Sequence, residues 1–314
     1  MQYKDADSSS NAAPRKPVPL AATILLLLVT ATSFAQPASR FVLAAATDAS
    51  GQPLLGLAAE DFVIYEGSTA VDALNATPAL YPVVVLMDTT QQARNEFMPM
   101  RTAARQFVSR LTGREVALYT FGERSSRVVD FTRDISKVQR AIDSVFARPD
   151  ADSHVLDALI EAAKDIRRKE VPIALIAVLS VGGNDQSSRT PREVFEAVLS
   201  SRSTVQIIEM RSPRASGRLT NPRGRRTSTS DRSAEAALGL EEILRVLADR
   251  TQGAYNLIYT GSGFQSSLDR LQRSLASEVV LEYASVSSSE TAPLKLGTHM
   301  VGVTVRGIGL ERAP

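Results

Sequence analysis

The sequence predicts an α/β fold: a Rossmann-like, doubly wound and mostly parallel sheet, with a small flanking β module made from the N- and C-terminal segments. Two near-continuous apolar runs, at 83–87 and 171–179, are typical of parallel strands that are buried on both faces. Strand and helix signals alternate between residues 81 and 260, which indicates a parallel sheet covered by helices on both sides.

The N-terminal β segments come first. Phe41 to Leu43 is apolar and leads into Thr47–Gly51, which has the composition of a turn. Asp61–Gly67 contains a short alternating strand that ends in a second turn. We therefore expect a small β unit over residues 40–76.

Strands and helices then alternate along the α/β region. Beyond residue 87 the predicted strands are Val116–Phe121, Arg127–Phe131, Val171–Leu179, Val205–Met210 and Tyr255–Tyr259. The predicted helices are Ala93–Leu111, Asp134–Phe146, Ser153–Ile166, Pro191–Leu199 and Ala234–Arg250. Apolar residues of the first helix fall near one face and Gly113 stops it, while Pro191 suits the first turn of the fourth.

The C-terminal part has a different pattern. Phe264–Ala276 predicts a helix whose leucines share one face. Glu278–Val286 and His299–Val305 alternate like antiparallel strands. We expect them to pair with the N-terminal β unit, since the termini of a domain often lie close together.

Composition excludes several classes of function. The 314 residues are 44% hydrophobic and 22% charged, as in ordinary globular proteins, and a net charge of +2 gives no argument for a nucleic-acid partner. The absence of Cys excludes disulfides, and His154 and His299 fall in different segments, which disfavours a histidine metal site. With neither a G-x-S-x-G elbow nor a phosphate-binding P-loop, the sequence predicts no enzyme.

The N-terminus has the pattern of an export signal. Arg15 and Lys16 precede the apolar stretch Val18–Phe34, and Ser33-Phe34-Ala35 places small residues before a cut at Gln36. We expect cleavage there, a periplasmic or secreted protein, and no stable membrane span afterwards. The alternative is an uncleaved N-terminal membrane anchor, because the apolar run is near the lower length limit for a span.

Arg211–Arg232 is an arginine-rich segment. It holds seven arginines among Pro, Gly, Ser and Thr, with Asp231 as its one acid and no aromatic residue. Such a composition does not bury enough apolar surface to order itself. Two interpretations remain open: a basic arm for an acidic partner, or a solvated and variable insert.

Polar side chains directly follow the first buried strand. Asp88, Thr90 and Gln92 come after the apolar run 83–87. Ligands of open α/β sheets bind at the carboxyl ends of the strands, and oxygen ligands suit a hard cation such as Mg²⁺. The alternative is a polar loop in which Asp88 or Thr90 caps the next helix.

Five sequence pieces resemble the von Willebrand factor type A domain, from about residue 41 to residue 305. They are Thr47–Phe62, for D-x-x-G-x-P-V and G-L-x-x-x-D-F; Asp88-Thr89-Thr90, for D-x-S-x-S; Ser153–Leu159, for T-A-L-Y-D-A-L; Val178–Asp185, for L-L-S-D-G-x-D; and Leu247–Gly253, for L-A-x-x-T-G-G. More narrowly, the chain resembles a secreted bacterial subfamily common in acidobacteria, in which a β lead-in and a β tail flank the type A domain.

The resemblance implies a metal-ion-dependent adhesion site for Mg²⁺ or Mn²⁺, whose open position a partner's carboxylate fills. Matching positions hold Asp88, Thr90, Gln92 and Ser153, but Val181 replaces the family's third-loop Asp, so the site is degenerate. The alternative is that these polar residues only cap helices and hold loops. The expected partner-contacting residues are Asp88, Thr90, His154 and Asp185.

The sequence divides into a signal peptide (1–35), a β lead-in (36–78), a type A domain (79–262) and a C-terminal helix with a β tail (263–314). We expect an exported, non-enzymatic module that binds another protein or envelope macromolecule through its loop face. The alternative is a scaffold element of a cell-envelope assembly that binds no metal.

Overall fold

Two six-stranded sheets organise the computed structural model, which describes residues 39–211, 228–286 and 293–310 without the side chains of 228–238. They belong to one compact unit, Pro37–Pro314. The predicted signal peptide and residues 212–227 of the arginine-rich segment lie outside the described residues. In the described part, no helix is long and apolar enough to cross a membrane.

The central sheet confirms the predicted fold class. Its strands are β4 (Val83–Asp88), β5 (Val116–Phe121), β6 (Ser126–Thr132), β7 (Ala174–Ser180), β8 (Ser203–Met210) and β9 (Ala254–Ile258), in the order β6-β5-β4-β7-β8-β9. All neighbours are parallel except β5 and the edge strand β6, which are antiparallel.

Helices cover both faces of this sheet. They are α1 (Phe97–Ser109), α2 (Ile135–Ser144), α3 (Val155–Arg168), α4 (Pro191–Ser200), α5 (Ser228–Arg250) and α6 (Ser262–Ser277). One core lies between the sheet and α1, α2 and α6, and a second lies between the sheet and α3, α4 and α5. Alternate residues of each strand enter opposite cores: Val85 and Met87 enter the first, and Val84 and Leu86 enter the second.

The flanking β module confirms the expected pairing of the two chain ends. It contains β1 (Ser39–Thr47), β2 (Phe62–Glu66), β3 (Thr69–Pro78), β10 (Val279–Ala284), β11 (Leu294–Thr298) and β12 (Thr304–Leu310), in the order β11-β2-β3-β10-β1-β12. All its pairs are antiparallel, and it has its own core around Val42, Ile64 and Leu281. The central position of β10 makes the C-terminal strands integral to the module.

Two sequence expectations need correction in this module. The strand predicted over His299–Val305 is wrong, because β11 ends at Thr298, β12 begins at Thr304, and residues between them form a turn with Gly302 at φ +74°. The interior strand β3 was not predicted as a strand of its own. Its Ala, Asp and Asn residues have low strand propensity, so pairing with β2 and β10 decides its structure.

A tight turn fastens α5 to β8. Thr251 Oγ1 accepts a hydrogen bond from the Val205 N–H (3.1 Å) and donates to the Leu247 carbonyl (2.9 Å). A Cβ on Gly253 would lie 1.8 Å from the Val205 carbonyl oxygen, so only glycine fits this approach. The contact accounts for the Thr and the final Gly in the sequence piece that ends α5.

Candidate functional site

The carboxylate of Asp88 joins two loops at the carboxyl edge of the central sheet. Asp88 is the last residue of β4 and is fully buried. Its Oδ1 accepts the Thr90 N–H (2.8 Å), and its Oδ2 accepts the N–H of Val181 in the loop after β7 (2.8 Å). We call the segment after β4 (89–96) the first loop and the segment after β7 (181–190) the third loop. These two loops therefore meet on this one side chain.

Burial leaves the charge of Asp88 poorly compensated. Desolvation raises the pKa of Asp88 to about 6, and hydrogen bonds from Thr90, Val181 and Ser180 oppose that shift only in part. The groups that favour the carboxylate are hydroxyls and backbone N–H groups, not a basic side chain. A buried carboxylate in this state would be stabilised by a cation.

The Thr90 hydroxyl is the second unusual group. Thr90 is fully buried, and its Oγ1 has no hydrogen-bond partner among the described residues. It lowers the pKa of the Asp88 carboxylate, although the structure shows no hydrogen bond between the two groups. An orphaned hydroxyl beside a buried carboxylate fits the oxygen donor set of a hard divalent cation.

The segment between α2 and α3 (145–154), the second loop, brings Ser153 to the same edge. The Gln91 N–H donates to the Ala151 carbonyl (3.0 Å), which connects the first loop to the second. Ser153 is buried, and its carbonyl accepts the Gln186 N–H of the third loop (2.7 Å). The three loops that hold the sequence-predicted site residues are thus joined by hydrogen bonds.

Gln92 and His154 lie further out on this face. Gln92 begins a 3₁₀ turn, Gln92–Asn95, and its exposed side chain lies 3.5 Å from where a Cβ of Gly183 would be. Half-buried His154 directly precedes α3, with its Nδ1 3.4 Å from Asp157 Oδ2. Both side chains are therefore at least partly accessible to solvent.

The Asp185 carboxylate holds the start of α3. It accepts the Val155 N–H (2.9 Å), the Ser187 hydroxyl (2.9 Å) and the Ser187 N–H (3.3 Å). Because these donors occupy its oxygens, Asp185 acts as a helix cap in this structure. Asp152, which directly precedes Ser153 in the second loop, is exposed.

Val181 offers no carboxylate to the site. Its N–H binds Asp88, while its side chain is partly buried against the α1/α2/α6 core. Among the described residues, no group of three or more His, Cys, Asp or Glu side chains can hold a metal ion. A cation at Asp88 would therefore depend on few carboxylates and on hydroxyl oxygens.

Sequence reasoning missed Glu209, a buried acid near the end of β8. Glu209 is 6% exposed, and a Cβ on Gly182 would lie 3.3 Å from its Oε1, so the carboxylate lies against the third loop. The available signal was strand alternation. Val205 and Ile207 are buried on one face, and Glu209 is the next residue in that phase.

Comparisons with known proteins agree with this architecture. Residues 83–195 match the family model of the von Willebrand factor type A domain. No curated protein matches the sequence.

Solved structures with a similar fold include three of bacterial or mussel origin. Protein BatB from Bacteroides thetaiotaomicron is 13% identical, with a TM-score of 0.46, over 62% of this chain and 98% of that one. A von Willebrand factor type A structure from Catenulispora acidiphila is 16% identical, with a TM-score of 0.47, over 77% and 51%.

The third is proximal thread matrix protein 1 from the mussel byssus, described with a zinc-occupied MIDAS motif. It is 13% identical, with a TM-score of 0.47, over 65% of this chain and 48% of that one. Likenesses at these values support no statement about function. Residues 83–195 are therefore similar to the von Willebrand factor type A domain, and the strand order of the central sheet is consistent with that match.

Proposed function

We propose that this protein is an exported, non-enzymatic binding module that holds another protein or envelope macromolecule on the loop face of its type A domain. The observation that best supports this proposal is the buried Asp88 carboxylate beside the orphaned Thr90 hydroxyl. That hydroxyl makes no hydrogen bond among the described residues, so a bound species would give it a partner. The sequence pattern of a signal peptide over residues 1–35 supports the proposed location.

The bound species we propose is Mg²⁺ or Mn²⁺. Asp88 would be its charged ligand, with Thr90 and Ser153 contributing hydroxyl oxygens directly or through water. Gln92 would reach it from the rim. A divalent cation bound at such a site keeps an open position for a carboxylate of the partner, which supplies the recognition chemistry.

Asp88→Ala separates this function from a structural role. We expect the wild-type protein, immobilised with Mn²⁺, to retain specific components of a cell-envelope extract that the variant does not retain. We also expect the unfolding free energies to agree within about 1 kcal/mol at pH 7, because relief of a buried charge offsets the loss of two hydrogen bonds. Equal losses of binding and of stability would show instead that Asp88 is structural.

The scaffold function remains a second candidate because the β module exposes several large apolar side chains. Leu55, Leu74 and Val301 are 60%, 62% and 100% exposed. Removing residues 279–314 would not test this, since it removes the interior strand β10. Leu74→Lys on β3 keeps the module intact. Loss of association in this variant, with retained binding in Asp88→Ala, would favour the scaffold.

A further inference from the structure

Three polar residues form a row across one face of the central sheet at its carboxyl edge. Pairing of Met87 with Leu179 places Asp88 beside Ser180, and Ser180 pairs with Glu209. Adjacent strands lie about 4.8 Å apart, so the Cα atoms of Asp88 and Glu209 are separated by roughly 10 Å.

All three side chains point towards the same side of the sheet. Leu86, Val178 and Ile207 belong to the core under α3, α4 and α5. Residues two positions later along a strand lie on the same face. Asp88 and Glu209 therefore flank Ser180 at the top of one core, although they are 121 positions apart in the sequence.

Glu209 shares its nearest basic side chain with a second acid. The Arg211 guanidinium lies 3.9 Å from its carboxylate but bonds directly to Glu241. Burial raises the pKa of Glu209, hydrogen bonding to Tyr255 and the charge of Arg211 oppose that shift, and Glu241 and then Asp88 add smaller upward contributions. Asp88 and Glu209 are thus two buried acids at the same edge of the sheet, with one strand between theirs, and a divalent cation at this edge would have negative charge on both sides.

The third loop leaves room for that arrangement. Gly182 and Gly183 follow Val181 with φ of +73° and +119°, a backbone conformation that favours glycine. Gly182 carries no side chain against Glu209, and its N–H donates to the Ser180 hydroxyl (3.0 Å). The orphaned Thr90 hydroxyl beside Asp88 is an independent sign of a ligand at this edge.

We propose that Glu209 supplies the second negative charge of a divalent cation site centred on Asp88, in place of the carboxylate that Val181 lacks. Glu209 contacts the cation through Oε1 or through one bound water. The cation is Mg²⁺ or Mn²⁺, because all the available donors are oxygens. This inference rests on the proposed cation at Asp88, but it assigns a ligand from a different strand than the resemblance implies.

The test is a calorimetric titration of Mn²⁺ into the purified protein and three variants. We expect saturable binding to the wild type, abolished binding to Asp88→Asn, and an affinity for Glu209→Gln that is weaker by roughly 10- to 100-fold. Glu278→Gln is the matched control, because Glu278 is another buried glutamate, outside the loop face. We expect its affinity to equal that of the wild type.

Two further measurements make the result decisive. Thermal unfolding without metal checks that each variant folds, and Glu209→Ala replaces Glu209→Gln if the latter does not. Adding Val181→Asp to Glu209→Gln should restore affinity. If Glu209→Gln binds Mn²⁺ with wild-type affinity while Asp88→Asn does not bind it, only the role proposed for Glu209 is overturned. No binding to the wild type at millimolar Mn²⁺ would overturn the cation site, while retention of a partner without metal would preserve the binding function.

Discussion

Two buried carboxylates occupy different regions of this molecule and have different surroundings. Glu278 lies directly before β10, where the β module joins the α/β region, and accepts a hydrogen bond from the Tyr81 hydroxyl. Arg306 is 3.8 Å away, and the Arg114 guanidinium stacks on the Tyr81 ring at 4.6 Å. Asp88, on the loop face, accepts hydrogen bonds from two backbone N–H groups, and the Thr90 hydroxyl beside it has no hydrogen-bond partner among the described residues.

The difference separates a structural acid from a candidate ligand. Burial raises the pKa of both groups, so the direction of the shift does not distinguish them. What distinguishes them is the local supply of basic side chains. Near Glu278, Arg306 and Arg114 favour the carboxylate, whereas no basic side chain is among the groups that do so at Asp88. An added cation would therefore stabilise the buried charge of Asp88 more than that of Glu278.

Removing Arg114 should produce the largest effect on stability. Arg114 is buried and donates to the Tyr81 carbonyl (3.2 Å) and the Leu275 carbonyl (3.0 Å). We expect Arg114→Ala to lower the unfolding free energy by about 3 kcal/mol in urea denaturation, because it leaves buried acceptors unpaired near Glu278.

Arg110→Ala is the control for that change. Its half-exposed pair with Asp269 predicts a loss below about 1 kcal/mol. Mn²⁺ affinity should be unchanged in both variants. Similar losses of stability in the two variants would contradict the structural role assigned to the Glu278 region.

The pH dependence of stability should carry a contribution from Asp88. Its pKa is raised from 3.8 to about 6 on folding, so its stabilising contribution is complete below pH 3.8 and is lost as pH rises through 6. In metal-free buffer, the unfolding free energy of the wild type should fall by up to about 3 kcal/mol more than that of Asp88→Asn across this window. Parallel curves for the two proteins would show that Asp88 is not desolvated in solution.

Two buried threonines give the smallest and most specific comparison. Thr251 Oγ1 is hydrogen-bonded to Val205 and Leu247, whereas Thr90 Oγ1 has no partner among the residues described. Thr251→Val should therefore cost about 1–2 kcal/mol of unfolding free energy, and Thr90→Val should cost nothing or add a few tenths of a kcal/mol. Thr90→Val should nevertheless weaken Mn²⁺ binding. A loss of stability equal to that of Thr251→Val would mean that Thr90 has a structural bond.

Local pattern was sufficient for most of the fold because each strong signal lies within a few residues. The apolar run at 83–87 predicted a strand buried on both faces, and all of β4 is buried. The helix over 191–199 was marked by Pro191 and lies within one residue of α4. The C-terminal strands gave weaker signals. The alternating pattern runs through the turn that contains Gly302, so the prediction placed a strand where the chain turns between β11 and β12.

The sequence by itself determined the class of fold, the position of Asp88 at a strand end, and the loss of a carboxylate at Val181. Only the tertiary structure decided which polar groups are already used and which are free to bind. Asp185 caps α3, Thr90 keeps an orphaned hydroxyl, and Glu209 reaches the Asp88 edge from two strands away. The physical reason is range: side-chain alternation and caps act over a few residues, whereas burial and charge compensation depend on elements that meet only when the sheet is assembled.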